Sequence, residues 1–339
     1  MMRDFGGSVQ YSRVSARLAL AESDPDEHLD SFAEAVRQGL SGAPKSLPCR
    51  FLYDEIGSAL FEQICDLPEY YLTRAEHQIL EDEASDIVAH LPAGVALAEL
   101  GSGSSTKTRL LIESLLERQP TLRYLPVDIS PTILQESARA LLSDYPSLEV
   151  HAIAGEYEEG LRHLEGQRDR PKLIAWLGSN VGNFDRRRAA RFLRGVRDAM
   201  SDRDRVLVGV DLRKSAEVLE AAYDDDAGVT ARFSLNLLAR INRELDGRFD
   251  LERFEHQAIY RDLEGRVDIG LVSRCDQEVE IAALESVVKF ERGERIHTED
   301  SYKYSVEEID ALAEGAGLAL RHRWLDRTRA YSLNLLSAR

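Results

Sequence analysis

The feature that most constrains this fold is an alternation of short apolar runs with longer amphipathic segments between residues 95 and 210. The apolar runs predict strands, and the segments between them carry apolar residues at helical spacing. Strands that alternate with helices form a parallel sheet wound by right-handed crossovers, so the sequence predicts an α/β protein. The predicted strands are 95–97, 124–127, 148–152, 172–177 and 206–210, and the predicted helices are 107–116, 131–142 and 186–200.

After the last of these strands the alternation stops. Residues 215–250 have helical periodicity, and the runs 267–273 and 279–290 alternate like an antiparallel pair. A helix beginning at Ser305 and a strand-like run at 331–336 then return to the first pattern. The change of pattern predicts an insertion within the wound sheet.

These patterns divide the chain into four parts. Residues 1–30 mix Ser, Asp, Gly and Glu without lasting periodicity, which predicts a loose N-terminal arm. Residues 31–90 have helical periodicity and are expected to contribute to a second lobe. We expect the wound domain to comprise 91–214 and 302–339, with an inserted lobe at 215–301.

Composition limits the partners of this chain. Its 339 residues include 60 acidic and 43 basic side chains, a formal charge of −17, which repels nucleic acid and anionic lipid. The three cysteines are far apart and never in a C-x-x-C spacing, so we expect neither disulfides nor a zinc site, and a reducing cytoplasm fits best. No stretch approaches the roughly 18 uncharged residues of a membrane helix. We therefore expect a cytoplasmic monomer that acts on a small polar molecule.

A glycine-rich turn joins the first predicted strand to its helix. Gly101 and Gly103 leave room for backbone to approach a ligand, which suits a nucleotide-bearing cofactor. Thr106 occupies the third glycine position of a dinucleotide fingerprint. Two alternatives therefore remain: the protein is an NAD-dependent dehydrogenase, or the segment is an ordinary tight turn that binds no cofactor.

Two acidic residues make the cofactor prediction more specific. Asp128 ends the next strand, where a carboxylate meets ribose hydroxyls in nucleotide-binding sheets. Glu99 lies in an apolar strand just before the turn, and the sulfonium and amino groups of S-adenosylmethionine would compensate its buried charge. The alternative for Glu99 is a structural ion pair with Lys107 or Arg109.

Polar residues also follow the third and fourth strands. Glu156 and Tyr157 offer a polar edge and a ring that suit an adenine amine and its flat face. Gly178 and Asn183 place a small residue and an amide at the carboxyl edge of the sheet, where ligands of wound sheets bind. A strand-to-helix loop without a ligand would also use Gly and Asn.

Taken together, these motifs resemble the histidine Nα-methyltransferases of ergothioneine biosynthesis from about Leu47 onward. The motifs that carry the resemblance are YDEIGS at 53–58, LPEYYLTR at 67–74, ELGSG at 99–103, LGSNVGN at 177–183, DLRK at 211–214 and TEDS at 298–301. The resemblance implies a Rossmann-like class I methyltransferase sheet with an inserted α+β substrate lobe. It also implies that three methyl groups pass from S-adenosylmethionine to the α-amine of L-histidine, giving hercynine.

The resemblance also implies site residues. Those expected to bind the cofactor are Glu99, Gly101, Gly103, Lys107, Asp128, Glu156, Tyr157 and Gly178. Those expected to bind the substrate are Tyr70, Asn183, Tyr223, Ile269, Glu299 and Ser301, with Tyr53 and Tyr70 beside the amine as catalytic residues. The family usually has Asp-Phe where this chain has Glu156 and Tyr157, and some members have Met where it has Ile269.

Roles for the substrate residues follow from the resemblance and agree with their chemistry. Asn183 and Tyr223 would hold the carboxylate, and as neutral groups they would not raise the pKa of the nearby amine. Glu299 and Ser301 would bind the imidazole, because a carboxylate and a hydroxyl on one strand face can satisfy both ring nitrogens.

Three other interpretations remain open. The same chemistry could act on another amine, such as tryptophan, a histidine derivative or a small peptide. A dehydrogenase is disfavoured by Thr106, and a non-catalytic scaffold by the joint presence of Gly101, Asp128 and Asn183. We expect no metal, because the H-x-E of His297 and Glu299 lacks the P-C-x-x-C of zinc deaminases.

Overall fold

The computed structural model describes residues 12–22 and 25–339 of the chain. Its strands are β1 Ser12–Arg13, β2 Leu18–Glu22, β3 Lys45–Ser46, β4 Ala96–Leu100, β5 Leu122–Asp128, β6 Leu148–Ala154, β7 Lys172–Trp176, β8 Arg205–Asp211, β9 Phe254–Arg261, β10 Arg266–Ser273, β11 Gln277–Ile281, β12 Ser286–Phe290, β13 Arg295–Tyr302, β14 Leu318–Leu325 and β15 Tyr331–Ala338. Its α-helices are α1 Pro25–Ser41, α2 Glu55–Cys65, α3 Tyr71–Ala89, α4 Thr108–Arg118, α5 Pro131–Asp144, α6 Tyr157–Gly166, α7 Arg186–Ala199, α8 Ala216–Tyr223, α9 Val229–Glu244 and α10 Val306–Gly315.

Nine strands form one large sheet in the order β1-β2-β6-β5-β4-β7-β8-β15-β14. The six strands from β2 to β8 in this order are parallel, whereas β15 is antiparallel to β8 and to β14. The predicted α/β fold class and each of its five parallel strands are confirmed. The order reverses direction at β4, and ligands of wound sheets bind outside the strand ends at such a point.

Helices cover both faces of this sheet. Alternation along a strand sends neighbouring side chains to opposite faces, so Leu173 and Ile174 of β7 belong to different hydrophobic clusters. One cluster includes residues of α3, α4 and α5, and the other includes residues of α6, α7 and α10. Full burial of each such side chain stabilises the fold by about 1.5–3 kcal/mol.

The region around residues 215–301 forms a second layer of structure. Its four-stranded sheet has the order β3-β13-β10-β9, and helix α9 packs against α2 through the rings of Phe233 and Phe61. The predicted pairing of 267–273 with 279–290 is wrong. Strand β10 lies between β9 and β13, and the later run folds on itself as the β11-β12 ribbon because a short 3-10 turn, Ala282–Leu284, reverses the chain.

Part of the N-terminal region differs from the loose arm predicted for residues 1–30. Strand β2 pairs in parallel with β6, placing Leu20 opposite Ala152. The guanidinium of Arg17 donates hydrogen bonds to three carbonyls at the end of α5 and the start of β6, those of Leu142, Tyr145 and Leu148. The expectation is therefore wrong for residues 12–22 and for residues 25–30, which begin helix α1, while residues 1–11, 23 and 24 lie outside the described residues.

Helix α3 also differs from its expected place in the second lobe. Its apolar face, including Ile79 and Leu80, is buried in the cluster that covers the large sheet. The indole N–H of Trp324 on β14 donates to Asp86 at 2.9 Å. Helix α3 therefore belongs with the wound sheet, and its first turns reach the carboxyl edge of that sheet.

Two compositional expectations concern membranes and disulfides. No helix in the described part of the chain is long and apolar enough to cross a membrane. Cys49, Cys65 and Cys275 are free thiols. The first two lie close to the site described next, because both line its cavity.

Candidate active site

A cavity of about 930 Å³ opens where the parallel strands end. Its walls come from the ends of β4 and β5, the loops after β6 and β7, the N-terminal helices α2 and α3, and strand β13. This volume lies within the range of small-molecule and cofactor sites, about 300–1,000 Å³. The residues predicted for the cofactor all line it: Glu99, Gly101, Gly103, Lys107, Asp128, Glu156, Tyr157 and Gly178.

A smaller cavity of about 30 Å³ lies beside the first. The two share wall residues, including Tyr53, Tyr70 and Glu299, so they form one continuous site. The residues predicted for the substrate all line the smaller cavity: Tyr70, Asn183, Tyr223, Ile269, Glu299 and Ser301. The structure thus brings together residues from distant parts of the chain.

The glycine turn after β4 has a backbone that requires glycine. Gly101 has φ +75° and Gly103 has φ +49°. A Cβ on Gly101 would lie 2.8 Å from Nδ2 of Asn180 and 2.9 Å from Oη of Tyr157. Any side chain at Gly101 would therefore be strained and crowded, and its absence leaves the backbone accessible from the cavity.

Asp128 ends β5 and faces the same turn. Its Oδ2 accepts the N–H of Gly103 at 2.8 Å, and its Oδ1 accepts the N–H of Ser130 at 3.0 Å. Burial raises the pKa of Asp128, while these backbone hydrogen bonds lower it. An ionised carboxylate offers about four acceptor positions, so two remain for ligand hydroxyls.

Glu99 is buried inside β4, with only 3% of its surface exposed. Its carboxylate accepts hydrogen bonds from the hydroxyls of Thr108 and Tyr124. The alternative ion pair is absent, since Lys107 and Arg109 bind other carboxylates. Burial raises the pKa of Glu99 to about 7, although both hydroxyls lower it, so a cation in the cavity would favour its ionised form.

Lys107 pairs with a carboxylate that the sequence analysis did not identify. Its ammonium binds Glu76 of α3, whose side chain is completely buried. Glu76 also accepts the N–H of Gly178 at 2.9 Å and the hydroxyl of Tyr331 at 2.7 Å. One carboxylate thus joins α3, the turn after β4, the loop after β7 and strand β15.

Glu156 and Tyr157 follow β6 and begin α6. Glu156 is the N-cap residue in a reciprocal capping box with Glu159, and its carboxylate lies 3.3 Å from Arg50. The ring of Tyr157 packs edge-on against Trp176, and burial raises its pKa. Both residues line the cavity, where Tyr157 is a partly buried, packed ring and Glu156 has a half-exposed carboxylate.

The loop after β7 turns sharply at Gly178 and Ser179, which have φ +71° and +57°. The short 3-10 helix Asn180–Asn183 follows, and it carries Asn183 to the wall shared by both cavities. The hydroxyl of Ser179 accepts the N–H of Asp211 at 3.0 Å, which fixes the loop to the end of β8.

Strand β13 supplies the acidic wall of the smaller cavity. Glu299 and Ser301 lie two residues apart, so their side chains share one face of the strand. Ile269 on β10 is the partner of Glu299 across the ladder, at a bulge between Ile269 and Gly270. The predicted carboxylate, hydroxyl and apolar side chain therefore surround one space.

The electrostatic environment of Glu299 is unusual for a carboxylate. Burial raises its pKa to about 7, and nearby Asp300 adds to this rise. Lys303 and His297 act in the opposite direction. Glu299 therefore titrates near neutral pH, and a hydrogen-bond donor in the cavity would favour its ionised form.

Tyr223 and Ser301 contact each other and a buried lysine. Their hydroxyl oxygens are 2.8 Å apart. Lys303 donates to Tyr223 at 2.7 Å and to Ser301 at 2.9 Å. The groups expected to bind the two ends of the substrate therefore belong to one hydrogen-bonded cluster.

Tyr53 and Tyr70 form the aromatic wall between the cavities. Tyr53 packs against Phe61 and Phe233, and Tyr70 packs edge-on against Phe61 and Tyr223. Burial raises the pKa of both phenols well above their usual range. Both remain neutral at physiological pH and present O–H groups and ring faces to the site.

Glu76 and Lys303 are the main residues that the sequence analysis missed. Glu76 stands among apolar residues on one face of α3, and a carboxylate on such a stripe signals a specific partner. Lys303 continues the alternation that places Glu299 and Ser301 on one face of β13. Both signals were present in the sequence, but neither identified the partner.

Two groups of described residues have donors close enough for one cation. Asp268, His297 and Asp300 form the first group, which lies beside the site. Their carboxylates already form ion pairs with Arg266 and Arg295, so the guanidinium groups of this chain compensate their negative charge. The second group contains Asp86, His90 and His322, which do not line either cavity.

Comparisons with known proteins agree with this geometry. The chain is 42% identical to the histidine N-alpha-methyltransferase of Mycolicibacterium smegmatis, over 90% of this chain and 96% of that protein. It is 39% identical to the histidine N-alpha-methyltransferase of Mycobacterium tuberculosis, over 88% and 92%. It is 29% identical to a 4-dimethylallyltryptophan N-methyltransferase of Aspergillus fumigatus, over 85% and 88%.

The family model that matches covers almost the whole chain. It describes SAM-dependent, histidine-specific methyltransferases and matches residues 32–338. The match excludes the dehydrogenase alternative and identifies S-adenosylmethionine as the cofactor of the family. With its wound sheet, glycine turn and adjoining cavities, this chain belongs to the SAM-dependent, histidine-specific methyltransferase family.

Proposed function

We propose that this enzyme transfers three methyl groups in succession to the α-amine of L-histidine, producing hercynine for ergothioneine biosynthesis. The observation that carries the proposal is the smaller cavity, where Glu299 and Ser301 share a strand face beside the cofactor residues. The names of the two mycobacterial relatives support the same substrate.

The larger cavity fits S-adenosylmethionine. The turn at Gly101 and Gly103 admits a ligand close to the backbone, and Asp128 keeps acceptor positions for the ribose hydroxyls. Glu156 and Tyr157 would bind the adenine. Lys107 and Gly178 would line the methionyl part, where buried Glu99 would accept its ammonium.

The smaller cavity fits an imidazole bound at both nitrogens. Glu299 would accept a ring N–H, Ser301 would donate to the other nitrogen, and Ile269 would cover the ring. Asn183 and Tyr223 would bind the carboxylate. This arrangement would direct the α-amine past Tyr53 and Tyr70, toward the larger cavity.

The cofactor, when bound, supplies an electrophilic methyl group on a sulfonium. Before each of the three transfers the α-nitrogen would lose one proton to water, which frees the lone pair that accepts the methyl group. Residues of this chain align the amine and exclude bulk water around it. Tyr53 and Tyr70 would hold the neutral amine by hydrogen bonds and stabilise the growing ammonium with their ring faces.

A comparison of amine substrates tests this proposal. Purified enzyme with S-adenosylmethionine should incorporate methyl groups into L-histidine far faster than into other free amino acids. Ser301→Ala should raise the KM for L-histidine by about tenfold, as expected for loss of one hydrogen bond in a buried site. Equal incorporation into unrelated amino acids would contradict histidine specificity.

A second candidate is methylation of a different amine by the same chemistry. One observation favours considering it: one relative is named for 4-dimethylallyltryptophan. Preference for tryptophan over histidine in the same assay would support this candidate.

We also propose that the enzyme works as a cytoplasmic monomer, without metal and without nucleic acid. The charge of −17 and the three free thiols support this. Sedimentation at micromolar concentration should give one species near 38.1 kDa. Activity should survive treatment with a chelator.

A further inference from the structure

Lys303 is completely buried beside the proposed substrate cavity, in the segment between β13 and α10. Its Nζ lies 2.7 Å from Tyr223 Oη, 2.9 Å from Ser301 Oγ and 2.7 Å from a carboxylate oxygen of Asp211. An ammonium has three N–H donors, so these three oxygens use all of them. Lys303 has no free donor for a ligand and must act through its neighbours.

Lys303 stays charged in this position. Burial lowers its pKa, but the Asp211 carboxylate and the Tyr223 hydroxyl outweigh it, so the pKa is raised overall. Asp211 also accepts from Tyr71 at 2.7 Å and binds Lys214 at 2.5 Å. This cluster contains two ammonium groups and one carboxylate, which leaves a net positive charge behind the cavity wall.

The donated N–H groups determine the direction of both hydroxyls. Tyr223 and Ser301 each accept a hydrogen bond from Lys303, and one of the two hydroxyls donates a hydrogen bond to the other across 2.8 Å. One hydroxyl proton is left over. Since Tyr223 and Ser301 both line the smaller cavity, that proton is available to a ligand in either arrangement.

We infer that Lys303 is a positioning residue that makes the Tyr223–Ser301 pair a hydrogen-bond donor toward the substrate. The inference rests on the proposed function. A donor at this wall matches an acceptor atom, which is the unprotonated nitrogen of a neutral imidazole or a carboxylate oxygen. Glu299, an acceptor when ionised, matches the ring N–H, so the two sides of the cavity recognise a neutral imidazole.

Lys303→Met tests this role, because it removes the ammonium and keeps a long side chain. We expect the KM for L-histidine to rise about tenfold or more, as for loss of a charge-assisted hydrogen bond. The kcat at saturating histidine and the affinity for S-adenosylhomocysteine should change by less than about threefold, because Lys303 does not line the larger cavity.

A ring-analogue comparison separates positioning from a loss of structure. Wild-type enzyme should prefer L-histidine over 2-thienyl-L-alanine, which lacks both ring nitrogens, by at least about a hundredfold in kcat/KM. The preference should fall by about tenfold or more in Lys303→Met. Combined with Ser301→Ala, Lys303→Met should have a smaller further effect on this ratio than it has alone, because both changes act on the same pair of hydroxyls.

Lys172→Met is a matched control. Lys172 is also a buried lysine, paired with Asp204 at 3.0 Å, but it begins β7 at the opposite end of the strand from the site. This variant should lose thermal stability while keeping the wild-type KM and ring preference. If Lys303→Met does not fold, Lys303→Met/Asp211→Asn removes both buried charges and is assayed in its place.

The outcomes are distinct. An active wild type together with a Lys303 variant that keeps the KM and the ring preference would overturn the inference alone. A wild type that binds S-adenosylhomocysteine but does not methylate histidine would overturn the proposed function, and the role of Lys303 in histidine binding with it.

Discussion

Asp128 accepts a hydrogen bond at 2.8 Å from the backbone N–H of Gly103, although 25 residues separate them. The contact joins the glycine turn after β4 to the carboxylate that ends β5. Each feature alone suits several kinds of protein, but the bond fixes the turn and the acid in one orientation. The glycine turn, which would let the cofactor approach the backbone, and Asp128, which would bind the ribose hydroxyls, therefore hold each other in position.

Gly101→Ala should abolish cofactor binding. Alanine at φ +75° is strained, and its Cβ would meet Asn180 and Tyr157 at less than 3.0 Å. We expect affinity for S-adenosylhomocysteine to fall by about a hundredfold or more, measured by calorimetry. Gly94→Ala is the control: it has φ +71° but nothing within 4 Å of its Cβ, so it should lose about 1–2 kcal/mol of stability and keep its affinity.

Glu76→Ala should destabilise the protein and weaken the cofactor site together. It leaves Lys107, the Gly178 N–H and the Tyr331 hydroxyl without their shared acceptor. We expect a loss of about 3–5 kcal/mol in the free energy of unfolding, as for breaking a buried ion pair. Glu117→Gln, on an exposed part of α4, should leave both unfolding and S-adenosylhomocysteine affinity unchanged. Stability equal to wild type would refute the role of Glu76.

The sequence predicts the parts of the site that depend on local pattern. The glycine turn and Asp128 follow from strand ends, whereas the pair Glu299 and Ser301 is implied by the family resemblance of the TEDS motif. Glu76 and Lys303 could not be assigned in the same way, because their partners lie 102 and 80 residues away, at Gly178 and Tyr223.

The limits of local sequence pattern also explain the errors in the predicted fold. Strand β2 is only five residues long, and its pairing with β6 is made by backbone groups that any sequence carries. The run 279–290 has strand periodicity in either arrangement, so alternation could not separate pairing with β10 from a ribbon folded on itself. A long-range contact decides the first case, and the local turn Ala282–Leu284 decides the second.

Glu299→Gln should stabilise the ligand-free protein above neutral pH while weakening histidine binding. The folded pKa of Glu299 is raised to about 7 from an ordinary value of 4.5, so the ionised wild type loses stability as pH rises between these values. We expect the variant to be more stable by up to roughly 3 kcal/mol at pH 8 and equal to wild type below pH 4. Thermal unfolding at both pH values measures this, and no gain at pH 8 would contradict the assignment.

Tyr53→Phe and Tyr70→Phe should each lower kcat, by about tenfold or more, because the phenols hold the amine in line with the methyl group. Single-turnover assays at saturating histidine measure the chemical step. Tyr145→Phe is the control, since Tyr145 ends α5 away from both cavities and binds Glu113. Unchanged turnover in both variants would exclude the hydroxyls from the reaction, leaving only their rings.

The most direct test of the proposed function is the mass of the product formed from L-histidine. Enzyme incubated with S-adenosylmethionine and L-histidine should yield a product heavier by three methyl groups, with all three on the α-nitrogen by fragmentation. One- and two-methyl species should appear earlier and then disappear. Histidine that remains unmodified, under conditions in which the same sample binds S-adenosylhomocysteine, would contradict the account.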